Sequence, residues 1–261
     1  VFPGQGSQKI GMGKEMSENF IEAKEVFQEV DDAIDFSLSK IMWEGSDHDI
    51  TLTSNAQPAL MACGVAVYRV LIKLTNKKLP ELADYICGHS LGEYTSMTVA
   101  DVFSLKECAI LLRLRGDAMQ QAVPLNQGAM AAFIGVDIET TENIIKEVES
   151  MGVCNIGNDN ADGQVVLSGE ISAIDHVCSN AKEYKIKRAI KLPVSAPFHC
   201  ELINSAANRL KSEVINYNFK DFKFPLVSNV NALPCNSKNI QNLLVDQVVS
   251  RVRWREILVY M

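Results

Sequence analysis

The amino-acid sequence predicts an α/β fold in which a parallel-sheet core carries an inserted, ferredoxin-like small subdomain. Three observations predict it. Short apolar segments alternate with amphipathic ones, a sharp glycine turn follows one apolar segment, and a stretch in the middle of the chain has its own strand–helix order. With 261 residues the chain can bury a sizeable core, as one large domain or as one domain carrying an insertion.

Two amphipathic helices are predicted in the N-terminal part of the chain. Apolar residues recur every three or four positions over residues 16–34, which is typical of a helix with one buried face. A second helix is expected over residues 60–74, directly after Pro58, because proline is tolerated in a first helical turn.

A buried strand is predicted over residues 83–87, which are short, apolar and followed by Gly88. Ser104 and Glu107 have the spacing of a capping box, so a helix should start there and run towards Gln121. Short apolar strands that alternate with helices indicate a parallel sheet.

The stretch 127–194 has a different pattern. It predicts, in order, strand 129–136, helix 141–151, strands 153–156 and 164–168, helix 171–184 and strand 187–194. The order βαββαβ is that of the ferredoxin-like split unit. From Cys200 onward the larger domain resumes, with a helix, a strand at 225–230 and a helix from Ile240. We therefore expect residues 1–126 and 195–261 to form an α/β-hydrolase-like large subdomain and residues 127–194 a small one.

Composition narrows the classes of function. The chain is 47% hydrophobic and 22% charged, with a net charge of −7, which argues against nucleic acid and anionic membranes as partners. It contains neither 18 uninterrupted apolar residues nor a signal-peptide pattern, so we expect no membrane span and a cytoplasmic location. Seven scattered cysteines predict free thiols and no metal site. The chain opens on Val-Phe-Pro without Met, so we expect it to begin partway along a strand.

The segment Gly88-His89-Ser90-Leu91-Gly92 fits the nucleophile elbow G-x-S-x-G. The strand-to-helix turn of such an elbow is so sharp that a Cβ at either glycine would collide. The turn exposes the serine oxygen at a helix start, where backbone N–H groups can receive an oxyanion. Ser90 is therefore the candidate nucleophile.

A serine nucleophile needs a base, and the chain has four histidines. His48 lies in a polar stretch that suggests a solvated loop, and His176 is expected on the surface of the small subdomain. His89 lies inside the elbow, where the adjacent side chain faces away from the serine oxygen. Elimination leaves His199, at the point where a strand gives way to a loop rejoining the main domain.

The first residues, Val-Phe-Pro-Gly-Gln-Gly-Ser-Gln, invite comparison with phosphate-binding loops. The comparison fails, because Gln8 stands where a Walker loop needs glycine and Lys9 replaces the third glycine of a dinucleotide fingerprint. Small residues here are better explained by a loop lying close against a second site, with backbone N–H groups free to donate.

Six motifs follow one another in a specific order: PGQGSQ, GHSLGEY, LRLRG ending at Gly116, GAMAA at Gly128, GQVV at Gly163 and Pro-Phe-His-Cys at 197–200. In this order the chain resembles the malonyl-CoA:acyl carrier protein transacylases of type II fatty acid synthesis and, more widely, the acyltransferase domains of polyketide synthases. The likeness runs over the whole chain. Family members continue past Met261, so we expect part of the sheet to be missing.

The resemblance implies roles for particular residues. Ser90 would be the nucleophile and His199 its general base, in a dyad without an acidic third member. The imidazole Nδ1–H would be oriented by a main-chain carbonyl, that of Gln247. The backbone N–H groups of Gln5 and Leu91 would form the oxyanion hole.

Arg115 matches the family's arginine for the free carboxylate of the malonyl group. Its planar fork can pair with a carboxylate bidentately, which lysine cannot do; the residues alone suggest only a solvated helix position, like that of Arg113. Phe198, just before the histidine, would favour malonyl over branched acyl groups.

The implied reaction passes malonyl from malonyl-CoA to Ser90 and then to the phosphopantetheine thiol of acyl carrier protein. We expect no cofactor and a monomer. An acidic carrier needs a local positive face, and the densest basic run is Lys182, Lys185, Lys187, Arg188 and Lys191. A solvated helix–strand edge explains that run equally well.

Two alternatives stay open. A thioesterase of the α/β-hydrolase type would share the elbow and the histidine, but its triad needs a carboxylate. Asp137 and Asp159 lie between nucleophile and histidine, although both fall in the predicted insertion. The other alternative is a non-catalytic carrier-binding relative, which the presence of Ser90, His199 and Arg115 disfavours.

Overall fold

The computed structural model of the protein describes residues 1–194, 196–221 and 224–261, which have a mixed α/β fold. The chain forms two compact units. The first consists of Val1–Asp117, Glu213–Ser228 and Pro234–Gln241, and the second of Ala118–Ser212, Asn229–Leu233 and Asn242–Met261. The small subdomain predicted at residues 127–194 is an insertion defined by position along the chain. The two units do not test it, so it stays a prediction.

The described helices are α1 (Lys14–Asn19), α2 (Ile21–Ile34), α3 (Leu38–Glu44), α4 (Asp47–Thr51), α5 (Thr53–Thr75), α6 (Leu91–Val99), α7 (Leu105–Gln121), α8 (Ile138–Val148), α9 (Ile171–Ser179), α10 (Asn204–Val214), α11 (Ile240–Val249) and α12 (Trp254–Tyr260). The described strands are β1 (Gly128–Ile134), β2 (Cys154–Ala161), β3 (Gln164–Glu170), β4 (Arg188–Lys191), β5 (Leu226–Val227) and β6 (Pro234–Cys235). Single 3₁₀ turns occur at Leu79–Glu81, Glu149–Met151 and Glu201–Ile203.

The helix predicted over residues 16–34 is two helices. Phe20 has extended backbone angles (φ −131°, ψ 122°) and separates α1 from α2. The Phe20 N–H still donates to the Met16 carbonyl at 2.9 Å, so α1 closes its last helical hydrogen bond before the chain turns into α2. The predicted period holds within α2, which buries Ala23, Val26, Phe27 and Val30.

Helix α5 begins at Thr53, five residues before Pro58, so Pro58 lies inside it rather than in its first turn as expected. The five residues Thr53–Gln57, all polar except Ala56, are buried together with the apolar residues that follow. By length and composition α5 could cross a membrane. Core helices of globular proteins meet the same criterion, and α5 packs against α2 and α6 within the first unit.

The first unit holds three neighbouring chain segments in parallel pairing, with Ile86–Gly88 in the middle. Phe2 pairs with Gly88, and Ile86 pairs with Leu226. Each pairing has two backbone hydrogen bonds of 3.0–3.1 Å. The predicted strands 83–87 and 225–230 are shorter than expected. The described pairing of the first begins only at Ile86 and runs to Gly88 at the elbow. The second turns back after Val227 to pair antiparallel with β6.

The capping box predicted for α7 is confirmed. The Ser104 N–H donates to the Glu107 carboxylate at 2.7 Å, and the Glu107 N–H donates to Ser104 Oγ at 3.2 Å. These bonds satisfy donors that the helix start leaves without intrahelical partners.

The second unit contains an antiparallel sheet of strand order β2-β3-β1-β4 with helices α8 and α9, in the predicted chain order βαββαβ. Four of its elements stop earlier than predicted, namely β1, α8, α9 and β4. Helix α9 ends at Ser179, where Asn180 donates back to the carbonyl of His176 at 2.9 Å. Strand β4 ends at Lys191, two residues before Pro193, which has no N–H for a ladder.

The C-terminal segment is bound to β2. Val252 pairs with Asn158, and the Gly157 carbonyl accepts from the Val252 N–H at 2.8 Å. Arg255 of α12 makes a two-pronged ion pair with Asp159, at 3.0 and 2.8 Å. Asp159 is fully buried, so this pairing supplies the partner that a desolvated carboxylate needs.

Candidate active site

Ser90 lies on a strained turn between the Ile86–Gly88 segment and α6. Its backbone angles are φ 53° and ψ −111°, outside the regions that non-glycine residues ordinarily adopt. A Cβ added to Gly88 would lie 2.0 Å from the backbone carbon and oxygen of Gly92, and one added to Gly92 would lie 2.6 Å from the carbonyl of Phe2. Both glycines are sterically required, as the elbow motif predicts.

The N-terminal loop packs directly against this elbow. A Cβ on Gly4 would lie 2.7 Å from His89 Nδ1, and the Phe2 carbonyl accepts from the His89 N–H at 3.0 Å. Gln5 is held by a hydrogen bond from its Nε2 to Thr53 Oγ1, at 3.3 Å. Leu91 is the first residue of α6, a position whose N–H has no intrahelical acceptor. The two predicted oxyanion donors thus belong to the same unit as Ser90.

Arg115 lies beside Ser90, the candidate nucleophile. Its side chain is 1% exposed, and Nη2 donates to Ser90 Oγ at 3.1 Å. Nη1 donates to Gln57 Oε1 at 2.7 Å, and the guanidinium carbon lies 5.2 Å from the ring centre of Tyr94. Arg115 is therefore a buried site residue, which corrects the solvated position that the residues alone suggest.

Burial lowers the pKa of the Arg115 guanidinium, and Tyr94 and Glu93 oppose that shift. Burial also raises the pKa of Tyr94, so its hydroxyl stays protonated at neutral pH. A guanidinium keeps its charge in proteins. Ser90 therefore has a fixed cation within hydrogen-bond distance of its oxygen, an arrangement suited to a substrate with an acidic group close to the reacting carbonyl.

Sequence reasoning missed Gln57, Glu93 and Tyr94. All three are buried, yet two of them are polar enough to suggest a surface position. Glu93 and Tyr94 fall within the motif GHSLGEY, and Gln57 precedes Pro58 in a polar stretch. In the sequence, the apolar residues of a predicted helix follow that stretch directly. Their proximity is the one signal that could have marked the polar stretch as buried.

His199 lies in the second unit, buried to 4% exposure, with a left-handed backbone (φ 59°). Its Nδ1 is 2.9 Å from the carbonyl oxygen of Gln247 in α11. A carbonyl can only accept, so Nδ1 carries the proton and Nε2 is the basic nitrogen of the neutral ring. The contact with Gln247 is the one that the family resemblance implied.

The other histidines have different surroundings. His48 is exposed and lies in α4, where it pairs with Asp49, rather than in the loop expected from sequence. His176 lies on α9 and is partly buried, which differs from its expected surface position. His89 packs against Gly4.

Neither carboxylate considered for a triad is available to a histidine. The Asp137 side chain caps α8 by accepting from the Thr140 N–H at 2.7 Å, which lowers its pKa. Asp159 is bound by Arg255. Both therefore have structural partners within the second unit.

The thiols near Ser90 and His199 in the sequence, those of Cys87 and Cys200, are protonated. Burial raises the pKa of Cys87 to about 11 and also raises that of Cys200, whose Sγ donates to the Pro197 carbonyl at 3.1 Å. All seven cysteines are free, and five are buried. A protonated, buried thiol is a poor nucleophile, so Cys87 does not compete with Ser90.

Phe198 and the basic run lie in the second unit. Phe198 is buried, and its N–H points at the sulfur of Met130, 3.4 Å away. The cationic side chains are exposed, namely Lys182, Lys185, Lys187, Arg188 and Lys191. Lys191 pairs with Asp175, and β4 is an edge strand of its sheet.

Comparison with known proteins identifies the family. The model of the acyl transferase domain family matches residues 1–258, and the chain belongs to that family. The malonyl CoA-acyl carrier protein transacylase of Bacillus subtilis (strain 168) is 40% identical over 258 residues, which cover 98% of this chain and 80% of that protein.

Two solved structures are similar throughout. The acyl-carrier-protein S-malonyltransferase of Bartonella henselae has 47% identity and a TM-score of 0.96, and the match covers 99% of this chain and 82% of that one. A type II PKS acyl-carrier protein in complex with its malonyl-transacylase has 36% identity and a TM-score of 0.94, with 100% and 83% covered.

Proposed function

We propose that this protein transfers the malonyl group of malonyl-CoA to the phosphopantetheine thiol of acyl carrier protein, supplying extender units for fatty acid synthesis. The named relatives support the reaction. The main support from this chain is one observation on its side chains. The buried guanidinium of Arg115 lies 3.1 Å from Ser90 Oγ. An acyl group bound to that oxygen is best accommodated if it ends in a carboxylate.

The proposed first half-reaction forms a malonyl-serine ester. His199 Nε2 takes the proton of Ser90 as Oγ attacks the thioester carbonyl, and the N–H groups of Gln5 and Leu91 stabilise the oxyanion. The C–S bond then breaks, and the proton on His199 passes to the sulfur, so that CoA-SH leaves. The neutral carbonyl of Gln247 keeps Nδ1 protonated throughout.

The second half-reaction reverses these steps with a different thiol. His199 takes the proton of the phosphopantetheine thiol, the thiolate attacks the ester carbonyl, and Ser90 leaves and recovers its proton. The enzyme returns to its starting state and needs no cofactor, so we expect ping-pong kinetics.

Assignments of fold, location and oligomeric state belong to the same proposal. We assign the first unit to an α/β-hydrolase-like core, supported by the parallel pairing around Ile86 and by the elbow. We assign the sheet of the second unit to a ferredoxin-like subdomain, supported by its strand order. A cytoplasmic monomer without nucleic-acid or membrane partners fits the net charge of −7.

A thioesterase is the competing function. It is disfavoured because Asp137 and Asp159 have other partners, and His199 has a carbonyl on Nδ1 where a triad has a carboxylate. Incubation with radiolabelled malonyl-CoA separates the possibilities. Label on the protein that moves to carrier protein supports the transferase, release of free malonate supports the hydrolase, and absence of label supports a non-catalytic relative.

Replacing either member of the dyad should block acylation. Ser90→Ala should abolish the malonyl adduct, and His199→Ala should slow its formation by ~10² to 10⁴, the usual contribution of a positioned general base. Intact-mass spectrometry after exposure to malonyl-CoA measures both. Cys87→Ala is the matched control and should keep the adduct. An adduct that persists in Ser90→Ala contradicts the assignment.

Arg115→Ala should lose malonyl transfer and retain or gain acetyl transfer. Removing the guanidinium leaves the substrate carboxylate desolvated and unpaired, a cost of ~2–5 kcal/mol, which corresponds to about 30-fold to several thousandfold in kcat/KM. Arg115→Lys should recover only part of the malonyl activity, because a point charge cannot reproduce the fork. Measuring kcat/KM for malonyl-CoA and acetyl-CoA tests this. Equal losses for both substrates would mean that the role of Arg115 is structural.

Phe198 should exclude a methyl branch on the acyl group. Phe198 is buried and directly precedes the proposed base. If its ring occupies the space that a methyl branch requires, Phe198→Ser should raise the ratio of methylmalonyl-CoA to malonyl-CoA use by up to about tenfold, a methyl-sized effect. Competition assays with the two substrates measure the ratio. No change on substitution argues against this role.

The basic run should bind the acidic carrier protein. Lys187→Glu with Arg188→Glu should raise the KM for carrier protein and leave the KM for malonyl-CoA nearly unchanged. Lys24→Glu with Lys40→Glu changes the net charge equally at exposed sites of the first unit and serves as control. If the two double variants behave alike, the run only protects the edge of strand β4 from pairing with other strands.

A further inference from the structure

The start of α5 is a buried polar segment with an unusual backbone requirement. Pro58 has no N–H, so the carbonyl of Ser54 lacks the donor that residue i+4 normally supplies in a helix. Ser54 is itself buried, and a buried carbonyl needs a partner. The helix can contain Pro58 only if another group donates to Ser54.

Arg113 of α7 is that group. Its Nη1 donates to the Ser54 carbonyl at 3.1 Å and also to Oδ1 of Asn55. The guanidinium stacks over the ring of Phe36, 4.7 Å from its centre. Arg113 therefore binds two groups at the start of α5 and also contacts Phe36, which lies between α2 and α3. It is not the solvated residue that its sequence position suggested.

The same two helix segments carry the proposed carboxylate site. Gly116 lies so close to α5 that a Cβ there would come within 2.6 Å of Ser54 Cα and 2.7 Å of the Thr53 carbonyl. Gln57, in the same turn of α5 as the residues that Arg113 binds, holds Arg115 at 2.7 Å. The register of α7 against α5 thus sets where the Arg115 guanidinium lies relative to Ser90.

We propose that Arg113 is a positioning residue for acyl selectivity: by occupying the Ser54 carbonyl that Pro58 leaves open, it fixes α7 against α5 and holds Arg115 in reach of the substrate carboxylate. The inference rests on the proposed malonyl transfer. Arg113 does not contact the acyl group in this scheme. Its loss should therefore affect substrates with a distal carboxylate far more than acetyl-CoA, because misplacement by about 1 Å can cost 10²-fold in rate.

The test compares Arg113→Ala, Arg113→Lys, Pro58→Ala and the double variant Pro58→Ala/Arg113→Ala. Two quantities are measured for each: the thermal midpoint Tm, and the ratio of kcat/KM for malonyl-CoA to that for acetyl-CoA. Pro58→Ala restores a backbone N–H for Ser54 but cannot connect α5 to α7. The double variant therefore separates the need of Ser54 for a partner from the positioning of Arg115.

Arg113→Ala should lower both Tm and the malonyl-to-acetyl ratio, the ratio by about tenfold or more. The double variant should recover part of the lost Tm while its ratio stays low. Arg113→Lys, which can reach one acceptor but lacks the fork, should fall between wild type and Arg113→Ala, and it serves as the test if Arg113→Ala does not fold.

Arg69→Ala is the matched control. Arg69 lies on α5, its side chain is 36% exposed against 29% for Arg113, and it pairs with Glu29 of α2 rather than with α7. It should leave the ratio unchanged.

Two results would overturn the inference: an unchanged ratio in Arg113→Ala and Arg113→Lys, or a ratio that returns with Tm in the double variant. Failure of the proposed function looks different, since wild-type protein would then not transfer malonyl at all.

Discussion

The left-handed backbone of Ser90 is a constraint on which most of the first unit depends. A residue held at such angles costs about 1–3 kcal/mol and persists only where its surroundings determine it strongly. Here the surroundings consist of backbone atoms. The Gly92 N–H donates to the His89 carbonyl at 2.9 Å, and the His89 N–H donates to Phe2 at 3.0 Å. With no Cβ at Gly88 or Gly92, three segments approach closely enough to hold the turn.

A buried cation next to this turn imposes a second requirement. Arg115 can be held without water only because polar groups surround it, and several of these come from the start of α5 or from α6. The segment Thr53–Gln57 also holds Gln5 and Arg113. A polar stretch placed inside the unit thus organises the N-terminal loop and α7 at once. The energetic cost of burying it is offset by the hydrogen bonds that it makes.

How far the sequence predicts this arrangement depends on whether a feature is local. The elbow, the capping box of Ser104 and the strand–helix order of the second unit follow from spacing and steric limits along a few residues. The contacts of Arg113 and Arg115 do not, because both arginines bind residues of α5 that lie 58 or 59 positions earlier in the chain, and spacing within α7 carries no information about that neighbour. The position of Pro58 inside α5 cannot be predicted for a related reason. The Ser54 carbonyl that Pro58 leaves without a donor is bound by Arg113, which is 59 residues further along the chain than Ser54. The roles of Arg115 and Gln247 came from family resemblance rather than from the residues themselves.

The acceptor for His199 Nδ1 is a main-chain carbonyl, and this affects what mutagenesis can detect. Every residue has a carbonyl, so substitution at position 247 changes a side chain and leaves the oriented oxygen in place. A scan of single substitutions can reveal a nucleophile, a base or a carboxylate-binding arginine by its loss. It cannot remove the group that fixes the tautomer of the imidazole. A change to the backbone itself is needed to alter the Gln247 carbonyl, such as replacing the amide that contains it with an ester.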